Sequence, residues 1–237
     1  MATFITSKSV GETISIYAET STGYWKYNHD GTDSSVFDQN NGAQTITVAN
    51  ANGEFTLIPC LSDGTPSGDI TLLGLGGNQL TSFDGTGLTS LNELGLGDNQ
   101  LTSFDATDLT SVTNLVVSSN LLISIDVSSL TNLNILTLRN NQLTSLDITG
   151  LLNLQYLSVE NNPFTNSTLT NNSLLAKLAA NELANDWDTG ELYTSGGRTS
   201  AGTTDYDYLI ANNWEIFGAD LIPTGTGKLR VKGIGQL

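Results

Sequence analysis

Leu91-Asn92-Glu93-Leu94-Gly95-Leu96-Gly97-Asp98-Asn99-Gln100-Leu101 decides the architecture, because the chain repeats its pattern before and after. Asn99 has counterparts at Asn78, Asn120, Asn141 and Asn162, always 21 residues apart. Leu94 and Leu96 have counterparts at Leu73/Leu75, Leu115/Val117, Leu136/Leu138 and Leu157/Val159. The x-L-x-L alternation describes a short strand with one buried face. A unit this short cannot bury that face alone, so the units must stack into a solenoid, with parallel strands about 4.8 Å apart. The recurring Asn carries both donors and an acceptor. Buried at the bend, it satisfies backbone groups of its own turn and the next, which left unpaired would cost roughly 1–3 kcal/mol each.

The pattern L-x-x-L-x-L-x-x-N-x-L resembles the leucine-rich repeat family over about residues 70–169, with five registers in agreement. The phrase Asn-Gln-Leu-Thr-Ser-Φ-Asp (Asn78 to Asp84, Asn99 to Asp105, Asn141 to Asp147) looks like the short bacterial repeats found on surface proteins. The third unit departs from it at Asn120-Leu121-Leu122-Ile123-Ser124-Ile125-Asp126. The fifth keeps Asn162 but turns to Pro163 and Phe164, as an array does at its end. The resemblance implies an α/β-type solenoid: a leucine-rich repeat array with short parallel strands, a β-rich N-terminal cap and a mixed α/β C-terminal cap.

A second ladder runs through Asp84, Asp105, Asp126 and Asp147. Stacked carboxylates repel, so something must offset them. One reading is a cation-binding strip. The other is a set of turn caps, each Asp accepting backbone N–H groups where the chain bends. The second is preferred, because each Asp follows an aromatic or aliphatic residue of the core.

The chain divides into residues 1–68, a β-rich cap or attachment unit; 69–169, the repeat array; 170–222, a C-terminal cap; and 223–237, a Gly-rich basic tail. The first unit shows strand patterns at Thr13 to Ala18, Gly23 to Tyr27, Gln44 to Val48 and Glu54 to Ile58. Its aromatic cluster, Tyr24, Trp25 and Tyr27, is either the core of a small sheet or a stacking surface for sugar. After the array, residues 173–183 and 205–211 have helical patterns, and Trp214 to Phe217 reads as a last strand. The tail holds Lys228, Arg230 and Lys232, three of the eight basic residues.

Eight basic residues against 24 acidic ones give a net charge of −16, which argues against nucleic acid or an anionic membrane as partner. The acidity serves solubility, or attraction to basic or cation-coated surfaces. No apolar run approaches the ~18 residues of a membrane span, so membrane insertion is not expected. The start of the chain lacks a basic segment followed by an apolar one, which implies either a trimmed chain or release by another route, such as host lysis. One cysteine, Cys60, and one histidine, His29, supply neither a metal motif nor a triad. Thr224 to Leu229 has the wrong spacing for a phosphate loop. No cofactor, metal or catalytic set is expected.

On the open face of the strands the pattern places Glu93, Asp98, Arg139, Tyr156 and Glu160, amid small residues such as Gly74, Gly76, Gly95, Gly97, Ser118 and Ser158. The small residues make a flat surface or simply suit tight packing. Arg139 and Glu160 hold the same position in adjacent units. The expected function is a non-enzymatic binding or structural module. Its setting is a phage virion, with other virion proteins as partners, or alternatively a bacterial surface or extracellular location, as an internalin-like adhesin meeting a host surface protein or glycan. In a virion, Tyr24, Trp25, Tyr27 and the basic tail would do the attaching.

Overall fold

The computed structural model describes residues 69–163 without a break, residues 8 and 12, and flanking strands. Those strands are Ala2–Thr6 (β1), Thr13–Thr20 (β2), Tyr24–His29 (β3), Thr32–Asp33 (β4), Phe37–Asp38 (β5), Gln44–Thr47 (β6) and Glu54–Cys60 (β7). The array contributes Ile70–Gly74 (β8), Leu80–Asp84 (β9), Glu93–Gly95 (β10), Asn114–Val116 (β11), Ile135–Thr137 (β12) and Tyr156–Ser158 (β13), and Gly190–Tyr193 (β14) and Trp214–Phe217 (β15) come last.

The repeat spacing becomes a parallel ladder. Leu73 pairs with Leu94, Leu94 with Leu115, Leu115 with Leu136 and Leu136 with Leu157, so each coil sits one rung on from its predecessor. Every leucine of the pattern turns inward. Leu91, Leu94, Leu96 and Leu101 are at most 1% exposed, as are their counterparts Leu133, Leu136, Leu138 and Leu143. Backbone bonds carry the ladder past the strand ends, from Leu96 N to Val116 O (2.7 Å) and from Asp98 N to Ser118 O (2.9 Å), with equivalents in the next coils. The fold is therefore a leucine-rich-repeat-like β-solenoid.

The α/β-type expectation fails in the array: there is no helix among the described residues. The return leg instead crosses in paired tight turns. Leu109 N bonds to Ala106 O and Val112 N to Leu109 O, and the same two bonds recur at Leu130/Val127 and Leu133/Leu130. The cause is length. Only six residues separate Asp105 from Val112. Wound as a helix at about 1.5 Å per residue they would span roughly 9 Å, too short a return for a leg of similar residue count laid out at about 3.3 Å per residue. The helices expected at 173–183 and 205–211 lie outside the described residues. Beyond the array, β14 pairs in parallel with β13 and β15 with β14, so the described chain continues the ladder as strand.

Among the described strands of residues 1–68, β1 and β2 pair directly with strands of the array. β2 runs antiparallel along β8, pairing Tyr17 with Gly74 and Ala18 with Leu73, and buries Ile14, Ile16 and Ala18 against the first coil. β1 runs antiparallel to β9 on the next leg of that coil, pairing Phe4 with Phe83, and its other side pairs with β7. The first coil is thus held on two sides. Among the described residues no helix is long and apolar enough to cross a membrane.

Candidate functional site

Two ladders run along the array: the Asn side chains bond from coil to coil, and each Asp side chain bonds within its own turn. Asn120 Nδ2 donates to the carbonyls of Leu96 (2.9 Å), Val117 (3.1 Å) and Ser118 (3.1 Å), while its Oδ1 accepts from Leu101 N (3.0 Å). Asn99, Asn141 and Asn162 repeat this arrangement. Asn78 has no earlier coil to serve, and β2 takes that place: Ser15 N donates to its Oδ1 (2.7 Å) and its Nδ2 donates to Ser15 O (2.6 Å). The residue before each Asn has a left-handed backbone: Gly77 (φ 71°), Asp98 (56°), Ser119 (54°), Asn140 (56°) and Asn161 (55°). Four of these five are Gly, Asp or Asn, the types for which that conformation costs least. Asp98, expected on the open face, is exposed and sits at a bend beyond the end of β10.

The Asp ladder caps turns. Asp84, Asp105, Asp126 and Asp147 each accept a backbone N–H two residues on, at 2.9 Å, from Thr86, Thr107, Ser128 and Thr149. Hydrogen bonds from the Thr86, Thr107 and Ser128 side chains and then their backbones hold the carboxyls of Asp84, Asp105 and Asp126 below the ordinary range. The neighbouring rung pushes the other way, Asp84 raising Asp105 and both Asp147 and Asp105 raising Asp126. A depression of about 360 Å³ lies between Phe83, Asp84, Gly85, Thr86, Asp105, Thr107 and Asp108. Its carboxylates are already engaged, Asp108 by Gly87 N at 2.8 Å. Among the described residues no group of three His, Cys, Asp or Glu side chains is placed to hold a metal ion.

The outward face of the nine-stranded sheet is where side chains vary. One column across it reads Glu19, Leu72, Glu93, Asn114, Ile135, Tyr156; the next reads Tyr17, Gly74, Gly95, Val116, Thr137, Ser158. Glu93 is exposed, as is Val116, and Leu72, Asn114, Ile135 and Tyr156 are half-buried. Arg139 and Glu160 follow at corresponding places after β12 and β13, with backbone bonds from Ser119 N to Arg139 O and Asn140 N to Glu160 O. Their side chains differ in setting: Arg139 is exposed, whereas Glu160 is half-buried and accepts from the Ser158 hydroxyl at 2.5 Å.

Tyr17 and Glu19 join this face, and the repeat pattern alone did not bring them to it. Their outward direction is legible in the alternation of Thr13 to Ala18, but their place beside Gly74 and Leu72 depends on the antiparallel pairing of β2. Tyr17 Oη donates to Glu19 Oε1 at 2.7 Å. That bond, then burial, then the charges of Glu19 and Glu93, push the phenol pKa up.

The attachment residues fare differently. Tyr27 is partly buried against the hydrophobic core, so its ring serves packing. Tyr24 and Trp25 lie in β3, paired with β5 and β7, with their side chains outside the described residues. Lys228, Arg230 and Lys232 lie outside the described residues altogether.

No protein-family model matches the chain, and no curated protein matches it. Among solved structures it is similar to the functional domain of InlJ from Listeria monocytogenes, described as including a cysteine ladder, with 30% identity and a TM-score of 0.40, over 44% of this chain and 24% of that one. It is also similar to an internalin, inlF, from Listeria monocytogenes, with 21% identity and a TM-score of 0.38, over 62% of this chain and 47% of that one. The chain thus spans from about a quarter to about half the length of these two structures.

Proposed function

We propose that this chain is a non-enzymatic protein-binding module whose ligand face is the outward side of the sheet, read as the concave side of the solenoid. One observation carries the reading. Inward positions are leucine or a close relative in coil after coil, whereas the outward column changes at every step, from Leu72 to Glu93, Asn114, Ile135 and Tyr156. A rigid repeated scaffold bearing a varied surface suits recognition. Chemistry has less to stand on. Glu93 and Glu160 sit three rungs apart, roughly 14 Å at about 4.8 Å per rung, wider than the ~5–9.5 Å that a glycosidase pair needs.

The setting we favour is the bacterial surface or the extracellular space, with a surface protein as partner, because the repeat phrase resembles that of surface proteins. A virion location is the second setting: the acidic composition suits it equally, and the basic tail would be its attachment arm. Mass spectrometry of shaved cells and of purified particles separates the two. The binding reading is tested by coupling the chain to beads and measuring capture by host cells. Glu93→Arg with Tyr156→Ala should abolish capture, and the turn-cap change Asp126→Asn, outside the strands, should not. Equal capture by both variants would defeat the concave-face reading.

A further inference from the structure

We propose that the N-terminal end of the concave face docks a basic, extended segment of a partner protein, one lysine or arginine side chain lying over Gly74 and Gly95 between the Tyr17 ring and the Glu93 carboxylate. The proposal rests on the concave-face reading above and names the chemistry of its partner.

The floor is bare backbone. Gly74 and Gly95 are Cα partners in adjacent strands, and both belong to the outward column. A Cβ built on Gly95 would make only ordinary contacts with the backbone below it, the Gly74 Cα at 3.8 Å and the Leu73 carbonyl oxygen at 3.9 Å. One wall is Tyr17, whose Cβ lies 3.4 Å from where a Gly74 Cβ would be. On the far side the next member of the column is the exposed Val116. The result is a trough about two strands wide, with an aromatic ring at one end and an aliphatic side chain at the other. It suits the methylene stem of a long side chain.

Charge selects which long side chain. Glu19 and Glu93 flank Leu72 in the neighbouring column, about 10 Å apart across two strand spacings. The field is felt at the wall itself, since both carboxylates favour the protonated Tyr17 phenol. The described cations belong to other parts of the fold. Lys8 turns its Nζ to the Thr13 carbonyl at 2.6 Å, toward the other end of β2. Lys26 is buried in β3, a strand of the other sheet, and Arg139 belongs to a coil two rungs beyond Glu93. A cation placed over the trough meets two carboxylates and an aromatic face together, a combination that favours Lys or Arg over any neutral side chain. A protein segment is favoured over a small cation because the face continues past the trough through Val116, Ile135 and Tyr156, which offers contact along several rungs.

The experiment titrates the full chain with fluorescent decapeptides alternating Arg and Thr, Lys and Thr, or Gln and Thr, by fluorescence anisotropy at about 0.15 M salt, where unspecific attraction to the acidic surface is screened. The Arg and Lys peptides should bind saturably at one per chain and the Gln peptide should not. Gly95→Val fills the floor without changing charge; a Cβ there makes only ordinary contacts, and the neighbouring rung carries Val116 in the same column. It should weaken binding at least about tenfold, as should Glu93→Gln, whereas Asp126→Asn, which removes a charge from a turn cap outside the strands, should leave it unchanged. Unaltered binding to Gly95→Val, equal weakening by Asp126→Asn, or no saturable binding would overturn the proposal. If cell capture still depends on Glu93 and Tyr156 while the peptides fail, the docking chemistry is wrong and the concave-face reading survives. If capture ignores those residues, the wider reading has failed by itself.

Discussion

At the scale of single residues, two positions are set by what surrounds them. Asn120 makes four bonds through one amide, three of them from its Nδ2, and is 5% exposed. Asn120→Ala leaves those backbone groups unpaired and should lower stability by about 1–3 kcal/mol in chemical denaturation. Asn120→Asp keeps the acceptor but sets a charge against three carbonyl oxygens, and should cost more than the alanine. A neutral alanine would mean the ladder is decorative. The second position is Gly85. A Cβ there would come within 3.0 Å of Phe83 Cε1 and 3.1 Å of Leu109 Cδ2. In later coils the same place holds Ala106, Val127 and Ile148, while the partner ring changes from Phe83 and Phe104 to Ile125 and Leu146. One side grows as the other shrinks, which keeps the filled volume steady. Gly85→Val should therefore destabilise by about 1–3 kcal/mol. Phe83→Ile should recover much of that loss, with a coupling of at least about 0.5 kcal/mol in a double-mutant cycle.

At the scale of the element, the Asp turns tie one leg of each coil to the next. The carboxyls of Asp84, Asp105 and Asp126 are held below the ordinary value in the folded chain by Thr86, Thr107 and Ser128. A lowered folded pKa gives stability that is full above the unfolded value, near pH 4, and is lost as pH falls through the folded value. Melting temperature should accordingly drop on acidification below about pH 4, and less steeply in Asp126→Asn, whose amide oxygen still accepts from Ser128. Calcium should do nothing: melts with calcium and with chelator should coincide, and a rise of several degrees would revive the cation strip. These strands and turns were legible because a 21-residue period repeats every inward leucine and every Asn and Asp. The turn leg was not. Helix and paired turns both place Leu109 and Val112 three residues apart on one side, and only the length of the return leg separates them. The exposed Leu121 (43%) and Ile123 (63%) show the limit of pattern from the other direction. They break the Gln-x-Thr phrase, and nothing in the fold explains why.

At the scale of the molecule, a solenoid must end somewhere, and how this one begins was the least legible part. Alternation in Thr13 to Ala18 announces a strand but not its partner, since pairing to β8 joins segments more than fifty residues apart. The same is true of the open-face site, which gains Tyr17 and Glu19 only through that pairing. The pairing also has a cost if it is broken. β2 satisfies Asn78, covers the edge of β8 and buries Ile14 and Ile16, while Thr6 of β1 donates to Asn78 O at 2.6 Å. Stability in a stacked array is a sum of units and their junctions, so damage at one junction should open that end first. Ile16→Ala removes a fully buried side chain from the joint and should cost about 2–5 kcal/mol. Hydrogen exchange should then show faster exchange at amides of the first coil, such as Leu75 and Gly77, while the amides of Val117 and Leu138, in the middle of the array, keep their protection. A uniform rise in exchange over all coils would instead mean that the array opens as one cooperative unit, with the N-terminal strands as part of it.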